Sequence, residues 1–136
     1  MVIKDEVTKM KFAHICEKKG STDKWIIKKI IDDIDRLGYT EVILKGDGEP
    51  ALQDVLQEVK RQRVHPTIPK GPPAYDPQAH GAAEKAVQDY MGQMRTMKVG
   101  LEARLRCKIE SDWAILQWVS ELAPELENRG QVGRDG

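Results

Sequence analysis

The sequence predicts a single α/β domain, and three observations lead to this fold class. A compact apolar run over Tyr39–Leu44 lies between Gly38 and Gly46, which is typical of a parallel strand buried on both faces. Apolar residues on either side of it recur at spacings of three and four, as they do in amphipathic helices. At 136 residues, the chain is long enough to bury a hydrophobic core.

Ahead of that run, a short mixed segment is followed by a predicted strand over Lys11–Cys16. A polar loop then supplies helix-capping residues and ends at Asp23. The helix that follows it carries an apolar stripe made of Ile27, Ile30, Ile31, Ile34 and Leu37. Gly38 directly after the stripe predicts the end of this helix.

After the apolar run of Tyr39–Leu44, Pro50 suits the first turn of a second helix, which is predicted to continue to about Arg61. Residues 64–68 predict a short strand, although Pro66 weakens that assignment. Four prolines and two glycines predict an irregular loop over residues 69–81. The order of strands and helices up to this loop is typical of α/β proteins.

Two further helices are predicted in the last third of the chain. A long one is expected to begin near Gly81 or Ala82, with a packing stripe of Ala83, Val87, Tyr90, Met94, Met97 and Leu101. The last helix carries Trp113, Leu116, Val119, Leu122 and Leu126. We therefore expect a folded domain over residues 1–127 and a frayed tail over residues 128–136.

Composition and charge narrow the class of protein. No apolar run is long enough to span a membrane, and the first residues are not those of a signal peptide. Cys16 and Cys107 fit no metal-ligand spacing and predict reduced thiols in an intracellular protein, nuclear or cytoplasmic, with a disulfide as the alternative. Residues 55–108 hold ten basic against five acidic side chains. That excess would attract a polyanion such as nucleic acid, or belong to a mixed solvated surface.

Asp47 is the first candidate for chemistry, because it follows the carboxyl end of the predicted central strand. Ligand sites in open α/β sheets form at such strand ends. Gly46 and Gly48 on either side leave space for a metal, a water or a phosphate. The alternative is a plain turn, since Gly-Asp-Gly is good turn chemistry by itself.

Glu84 is the second candidate, expected in the first turn of the long helix, where the helix dipole also favours a carboxylate. It lies beside the packing stripe, so its side chain could lean toward Asp47. Two hard carboxylates from different elements suit Mg²⁺ or Mn²⁺, which prefer oxygen ligands. The sequence therefore predicts a metal site shared by Asp47 and Glu84.

The chain resembles the catalytic core of retroviral and retrotransposon integrases, within the ribonuclease H-like superfamily. The segment Tyr75-Asp76-Pro77-Gln78-Ala79-His80-Gly81-Ala82-Ala83-Glu84 is similar to the family's Tyr-His-Pro-Gln-Ser-Asn-Gly-x-x-Glu. The turn Gly46-Asp47-Gly48-Glu49-Pro50 resembles a Ser-Asp-Gln-Glu-Pro form of some retrotransposon members. The separation of Asp47 and Glu84 is close to that between the family's second and third acidic ligands. The closing Val132-Gly133-Arg134-Asp135-Gly136 is also similar to a stretch in those members.

The resemblance implies a ribonuclease H-like mixed sheet flanked by helices and a DNA-integration reaction, in which bound Mg²⁺ or Mn²⁺ promotes phosphodiester cleavage and strand transfer. Asp47 and Glu84 would be the catalytic metal ligands. The long helix would lie along DNA, with contacts from Lys85, Gln88, Arg95, Lys98 and His80. For His80 and for Arg95 onward, a solvated surface is the alternative. A homodimer through the core is also implied, with the Trp113–Leu126 helix as a candidate surface.

The sequence departs from the family in two respects. Asp76, Ala79 and His80 replace the usual His, Ser and Asn of the loop before the glutamate. The family's first catalytic Asp has no clear counterpart, because Asp5 aligns with a turn after the second strand rather than with the first. We therefore expect a fragment that lacks the central first strand, is marginally stable, and is inactive. A non-enzymatic remnant that binds nucleic acid or protein, and an unrelated α/β module, are the alternatives.

Overall fold

The computed structural model describes residues 1–18, 20–71 and 77–130, with residues 79 and 80 described by their backbone. The mixed α/β class is confirmed. The elements in chain order are β1 (Val2–Lys4), β2 (Lys11–Ala13), α1 (Lys24–Arg36), β3 (Val42–Lys45), α2 (Pro50–Gln62), β4 (Thr67–Lys70), α3 (Pro77–Leu105) and α4 (Ala114–Gly130). The described strands form two sheets of two strands each, β1–β2 and β3–β4, rather than one mixed sheet.

The chain divides into two compact units. Unit 1 is discontinuous and combines Met1–Ile15 with Gly81–Gly136, so that it contains β1, β2, most of α3, and α4. Unit 2 is continuous over Cys16–His80 and contains α1, β3, α2 and β4. Within the described residues, we find no helix that is both long and apolar enough to cross a bilayer.

In unit 2, α1 forms as predicted. The carboxylate of Asp23 caps it by accepting hydrogen bonds from the backbone N–H groups of Trp25 and Ile26, at 3.1 and 3.3 Å. The chain leaves the helix through Gly38, whose φ of +77° lies in the left-handed region that glycine adopts readily. The buried face of α1 consists of Ile26, Ile27, Ile30, Asp33 and Ile34. These side chains contribute much of the core of the unit, together with Val55, Leu56 and Val59 of α2.

The β3–β4 sheet differs from its prediction in burial. The two strands are parallel, as expected, and Ile43 lies opposite Ile68 in the register. Both isoleucines are exposed, however, Ile43 by 51% of its surface. The prediction of a strand buried on both faces was wrong, because burial alternates along β3 and one face remains open. β4 begins at Thr67, directly after Pro66, whose ring nitrogen cannot donate to a ladder.

In unit 1, β1 and β2 form an antiparallel hairpin, and α4 packs against β2. Val119, Ser120 and Ala123 of α4 are completely buried, and Phe12 and Ala13 of β2 are buried with them. α4 continues to Gly130, so the predicted tail from residue 128 begins too early. Residues 131–136 lie outside the described residues.

The long helix α3 begins at Pro77, four residues before the predicted start at Gly81. Proline is well tolerated at a helix start, because the N–H it lacks would be unpaired there in any case. The predicted packing stripe is confirmed in part, because Tyr90, Met94, Met97 and Leu101 are half-buried. Ala83 and Val87 are exposed, and Ala86, which the prediction omitted, is the buried residue of this stretch. Over residues 83–87, the packing face of α3 is therefore rotated from the expected one.

Candidate metal and nucleic-acid site

Asp47 lies just beyond β3 in an exposed turn. Its Oδ1 accepts a hydrogen bond from the backbone N–H of Glu49 at 3.0 Å, which is the geometry of an Asx turn. Its carbonyl oxygen accepts from Nε2 of Gln53 at 2.6 Å. The structure therefore contains the turn that the sequence left open as the alternative to a ligand site. It engages one carboxylate oxygen and would leave Oδ2 to approach a ligand.

Gly46 explains how that turn approaches α2 so closely. A Cβ added to Gly46 would lie 2.9 Å from Cδ2 of Leu52 and 3.0 Å from Cδ1 of Leu56. The backbone N–H of Gly46 donates to the carbonyl of Lys70 at 3.3 Å, which continues the β3–β4 pairing by one residue. The glycine therefore serves close packing, in addition to any role in admitting a ligand to Asp47.

Glu84 is exposed on α3 in unit 1, whereas Asp47 belongs to unit 2. The prediction that Glu84 occupies the first turn was wrong, because α3 begins at Pro77 and Glu84 is its eighth residue. Stabilisation by the helix dipole, which fades within the first turn, therefore does not account for a glutamate here. The shared Asp47–Glu84 metal site stays a prediction.

Two of the residues predicted to contact DNA, Gln88 and Arg95, share an exposed side of α3 with Glu84. At about 100° per residue, Glu84, Gln88 and Arg95 lie within roughly 40° of one another around the helix, and we call them the polar face. All three side chains are exposed. Lys98 borders this face and lies 3.8 Å from a carboxylate oxygen of Glu102. His80 is described only by its backbone, and Tyr75 and Asp76 lie outside the described residues.

Lys85 belongs to a different side of α3, where it joins a chain of ion pairs. Its Nζ lies 2.8 Å from Oδ1 of Asp89, whose other oxygen lies 3.3 Å from Nζ of Lys11. Lys11 is buried, and its Nζ also lies 2.7 Å from Oε2 of Glu127. Lys85 is thus partly neutralised within the protein, which reduces what it can offer to a phosphate.

This network shifts two pKa values in ways that stabilise the charged forms. The hydrogen bond from Lys85, assisted by Lys11, holds the pKa of the Asp89 carboxyl below its usual value. Burial lowers the pKa of Lys11, but the hydrogen bonds and charges of Glu127 and Asp89 outweigh it, so that pKa is raised. Asp89 and Lys11 are therefore both charged over the neutral range.

We expect this network to make unit 1 sensitive to acid. Because the folded-state pKa of Asp89 is depressed, its contribution is present above about pH 4 and is lost as pH falls through the lowered value. Asp89→Asn should therefore weaken the decline of the urea midpoint on acidification. Glu125→Gln, which removes the exposed pair with Arg129, is the matched control and should leave the decline unchanged. Equal effects of the two variants would contradict the assignment.

Asp5 is the acidic residue nearest to the position of the family's first ligand, and it has another role in the structure. Its Oδ2 accepts hydrogen bonds from the backbone N–H and the hydroxyl of Thr8, at 2.7 and 2.6 Å. Its backbone N–H donates to the carbonyl of Met10 at 2.9 Å. Asp5 thus closes the β1–β2 turn.

Sequence reasoning missed Arg63, whose side chain is 1% exposed. Its guanidinium donates to Oδ1 of Asp35 at 3.0 Å, to the carbonyl of Tyr39 at 2.6 Å and to Oγ1 of Thr67 at 3.2 Å. One signal could have found it, because Arg63 follows Val59 by four residues and so continues the buried stripe of α2. An arginine in phase with an apolar stripe predicts a buried, fully bonded cation.

His14 was missed for a similar reason. It is buried directly after β2, and its Nδ1 lies 3.3 Å from Oε1 of Glu121 on α4.

Elsewhere, a shallow depression in unit 2 is lined by Ser21, Asp54, Gln57, Glu58, Lys60 and Arg61. Neither feature includes a residue that the sequence predicted for metal or DNA.

The donor set for a metal consists of carboxylates, which suit Mg²⁺ or Mn²⁺ by their chemistry. Among the side chains that the structure describes, however, no three histidine, cysteine or acidic groups cluster closely enough to hold an ion. Compared with known proteins, the chain gives no significant match to a protein-family model, a curated protein or a solved structure.

Proposed function

We propose that the chain is an integrase-like DNA-binding protein of retrotransposon origin, with a ribonuclease H-like ancestry. The observation that carries the proposal is the pair of motifs around Asp47 and Glu84, at a separation close to that in the family. The exposed polar face of α3 supports it, because Glu84, Gln88 and Arg95 present a carboxylate, an amide and a guanidinium on one side of a long helix. Guanidinium groups suit phosphates, and amides suit base edges.

In this proposal, Asp47 and Glu84 would hold Mg²⁺ or Mn²⁺. Both side chains are exposed and so accessible to a hydrated ion. When bound, such ions activate an attacking oxygen and stabilise the leaving oxygen of a phosphodiester. The contribution of the chain itself is to place carboxylates and to orient DNA along α3.

We expect little or no strand transfer from this polypeptide. The reaction depends on several charges placed around the phosphate, and two carboxylates neutralise a metal less well than three. Asp5 is occupied by the hairpin turn through its bonds to Thr8, so it does not supply the third. Metal-dependent nicking that is lost in both Asp47→Asn and Glu84→Gln would overturn this expectation.

Binding of labelled duplex DNA, followed by fluorescence anisotropy, tests the proposal. We expect affinity to fall steeply with added salt, because lysine and arginine contacts release counterions from DNA. Arg95→Glu should weaken binding by about tenfold or more, since it replaces an attraction to phosphate by a repulsion. Arg61→Glu, at an exposed arginine on α2, is the matched control and should have a smaller effect.

A response to salt that is flat, or equal losses in the two variants, would exclude the polar face as the DNA surface. The same samples distinguish the alternative, a non-enzymatic remnant that binds nucleic acid or protein. An integrase-like metal site predicts that millimolar Mg²⁺ or Mn²⁺ raises the thermal midpoint, and that Asp47→Asn with Glu84→Gln abolishes the rise. A remnant would bind DNA without any such metal effect.

A further inference from the structure

The turn that carries Asp47 is bonded to the start of α2 in both directions. The carbonyl oxygen of Asp47 accepts a hydrogen bond from Nε2 of Gln53 at 2.6 Å, and its Oδ1 accepts one from the backbone N–H of Glu49 at 3.0 Å. Gln53 is the fourth residue of α2, and Glu49 is the N-cap residue of that helix. The side chain of Asp47 thus bonds the backbone at the helix start, and a side chain of the helix bonds the backbone of Asp47.

The chain is also fixed directly before Asp47. The backbone N–H of Gly46 donates to the carbonyl of Lys70 in β4 at 3.3 Å. The side chains of Leu52 and Leu56 lie so close to Gly46 that an added Cβ would meet them at 2.9 and 3.0 Å. All of these contacts lie within unit 2, which is continuous in sequence. Asp47 is therefore restrained on both sides.

Gln53 is the polar side chain on which this arrangement depends. The side chain of Glu49 makes no cap hydrogen bond, so the helix start is not stabilised by its own N-cap residue. An Asx turn in an exposed loop is weak by itself, since water competes for its donor and its acceptor. The hydrogen bond from Gln53 restrains the carbonyl of Asp47 and so reduces the number of backbone conformations open to the turn.

A restrained turn presents one oxygen of the carboxylate rather than two. Oδ1 of Asp47 is directed at the N–H of Glu49, and Oδ2 is the oxygen that the Asx turn does not use. Mg²⁺ requires a nearly ideal octahedral shell and keeps several of its waters, which suits a carboxylate that offers one oxygen. Ca²⁺ has a larger and more flexible shell and also accepts both oxygens of one carboxylate. The turn therefore favours the smaller ion.

We propose that Gln53 is a positioning residue, which maintains Asp47 as a one-oxygen ligand and thereby selects Mg²⁺ or Mn²⁺ over Ca²⁺. This role rests on the proposed function, in which Asp47 would hold such an ion. Gln53 acts through the backbone of Asp47. Without its hydrogen bond, the turn spends part of the time in conformations that do not bind, and the apparent affinity falls in proportion to the fraction of chains that are competent.

Amide hydrogen exchange of the Glu49 N–H, followed by nuclear magnetic resonance, tests the effect on the turn without any metal. We expect this N–H to exchange about fivefold faster or more in Gln53→Met, because the Asx turn opens more often once the bond to the carbonyl is lost. Methionine has a similar length and helix propensity but no donor. Gln57→Met, at an exposed glutamine one turn further along α2, is the matched control and should leave the exchange unchanged. Equal urea midpoints of the two variants would show that the opening is local.

Mn²⁺ binding, measured by electron paramagnetic resonance, tests the effect on the ion. Gln53→Met should raise the Mn²⁺ dissociation constant about fivefold, and Gln57→Met should not change it. In competition with Mn²⁺, Ca²⁺ should gain on Mg²⁺ in Gln53→Met, because the released Oδ1 lets both oxygens bind one ion. A residue that only stabilised the fold would weaken every ion alike, so the ratio of the Ca²⁺ and Mg²⁺ constants distinguishes positioning from stability.

Unchanged exchange of the Glu49 N–H in Gln53→Met, or equal acceleration in Gln57→Met, would overturn the role of Gln53 in the turn. An unchanged ratio of the Ca²⁺ and Mg²⁺ constants would overturn the selection of ions. Failure of the proposed function has a different signature. The wild-type chain would then bind no Mn²⁺, whereas Glu49 would still exchange slowly in it and rapidly in Gln53→Met. That result would remove the metal site and the selection of ions, and would support Gln53 only as the residue that restrains the turn.

Discussion

Replacing Arg63 by methionine is expected to lower the free energy of unfolding by about 2–4 kcal/mol. The guanidinium is buried and donates to three parts of unit 2: Asp35 in α1, the backbone of Tyr39 before β3, and Thr67 in β4. Methionine preserves the unbranched apolar stem but provides no donor. Thr67 is buried, so its hydroxyl would lose a charged donor in a poorly solvated place, which costs more than the net contribution of that hydrogen bond. The carboxylate of Asp35 is 51% exposed, so water can replace part of what it loses.

The measurement is a urea unfolding curve with a matched surface variant. Arg61→Met removes an arginine from the same helix, where the side chain is 74% exposed and its pair with Glu58 lies at the surface. Such exposed pairs contribute at most about 1 kcal/mol, so this control should change the curve little. Arg63→Lys should fall between the two, since lysine keeps the charge but loses the planar fork of donors. Equal costs at residues 61 and 63 would contradict the role assigned to Arg63.

Replacing Asn128 by alanine is expected to cost unit 1 about 2 kcal/mol. The amide of Asn128 forms a two-way contact with the backbone of Lys11. Its Oδ1 accepts from the N–H of Lys11 at 2.7 Å, and its Nδ2 donates to the carbonyl of the same residue at 2.7 Å. A side chain thus takes the place that a neighbouring strand would occupy along β2, and it satisfies backbone groups that would otherwise be difficult to hydrate.

Thermal or urea unfolding of three variants checks this prediction. Asn128→Asp retains an acceptor for the Lys11 N–H but loses the donor, so it should cost an intermediate amount. Gln117→Ala, an exposed polar-to-alanine change on the same helix, controls for the change in helix propensity. If Asn128→Ala and Gln117→Ala have the same midpoint, then the contact with β2 contributes nothing to stability.

The elements that sequence could predict were those with strong local patterns. The stripe of isoleucines, the Asp23 cap and the stop at Gly38 all describe α1, and each depends on residues within a few positions of one another. The start of α2 at Pro50 was predicted correctly for the same reason. The α/β class followed from the order of such elements.

The predictions failed where tertiary contacts determine burial and the limits of an element. Whether β3 is covered on one face or two depends on what packs against it, and its sequence carries no record of that. The start of α3 was placed too late because Gly81 was interpreted as a boundary, whereas the helix extends through it. Lys11, His14 and Arg63 are buried polar residues whose partners lie far away in the sequence, so only the fold reveals how they are satisfied.

For the candidate site, sequence supplied the residue types and their spacing, and the structure added exposure and local bonding. Gln88 and Arg95 share a side of α3 with Glu84 because all three follow the helical period, which the sequence contains. The Asx turn at Asp47 was open as an alternative and is observed. The ion pair that partly neutralises Lys85 was not foreseen, although Asp89 lies four residues further along the same helix.

The hydrogen bonds between Lys11 and Asn128 connect residues 117 positions apart, and this separation bears on how the chain acquires its structure during synthesis. Unit 2 is continuous, so its pairings can form as soon as residues 16–80 have left the ribosome. Unit 1 cannot: the β1–β2 hairpin is made before unit 2 but must wait for α4, which is made after it. Such long-range closure slows folding and leaves an apolar strand surface exposed in the interval. The β1–β2 hairpin is therefore the part of unit 1 that most needs protection by a chaperone while the chain between it and α4 is made.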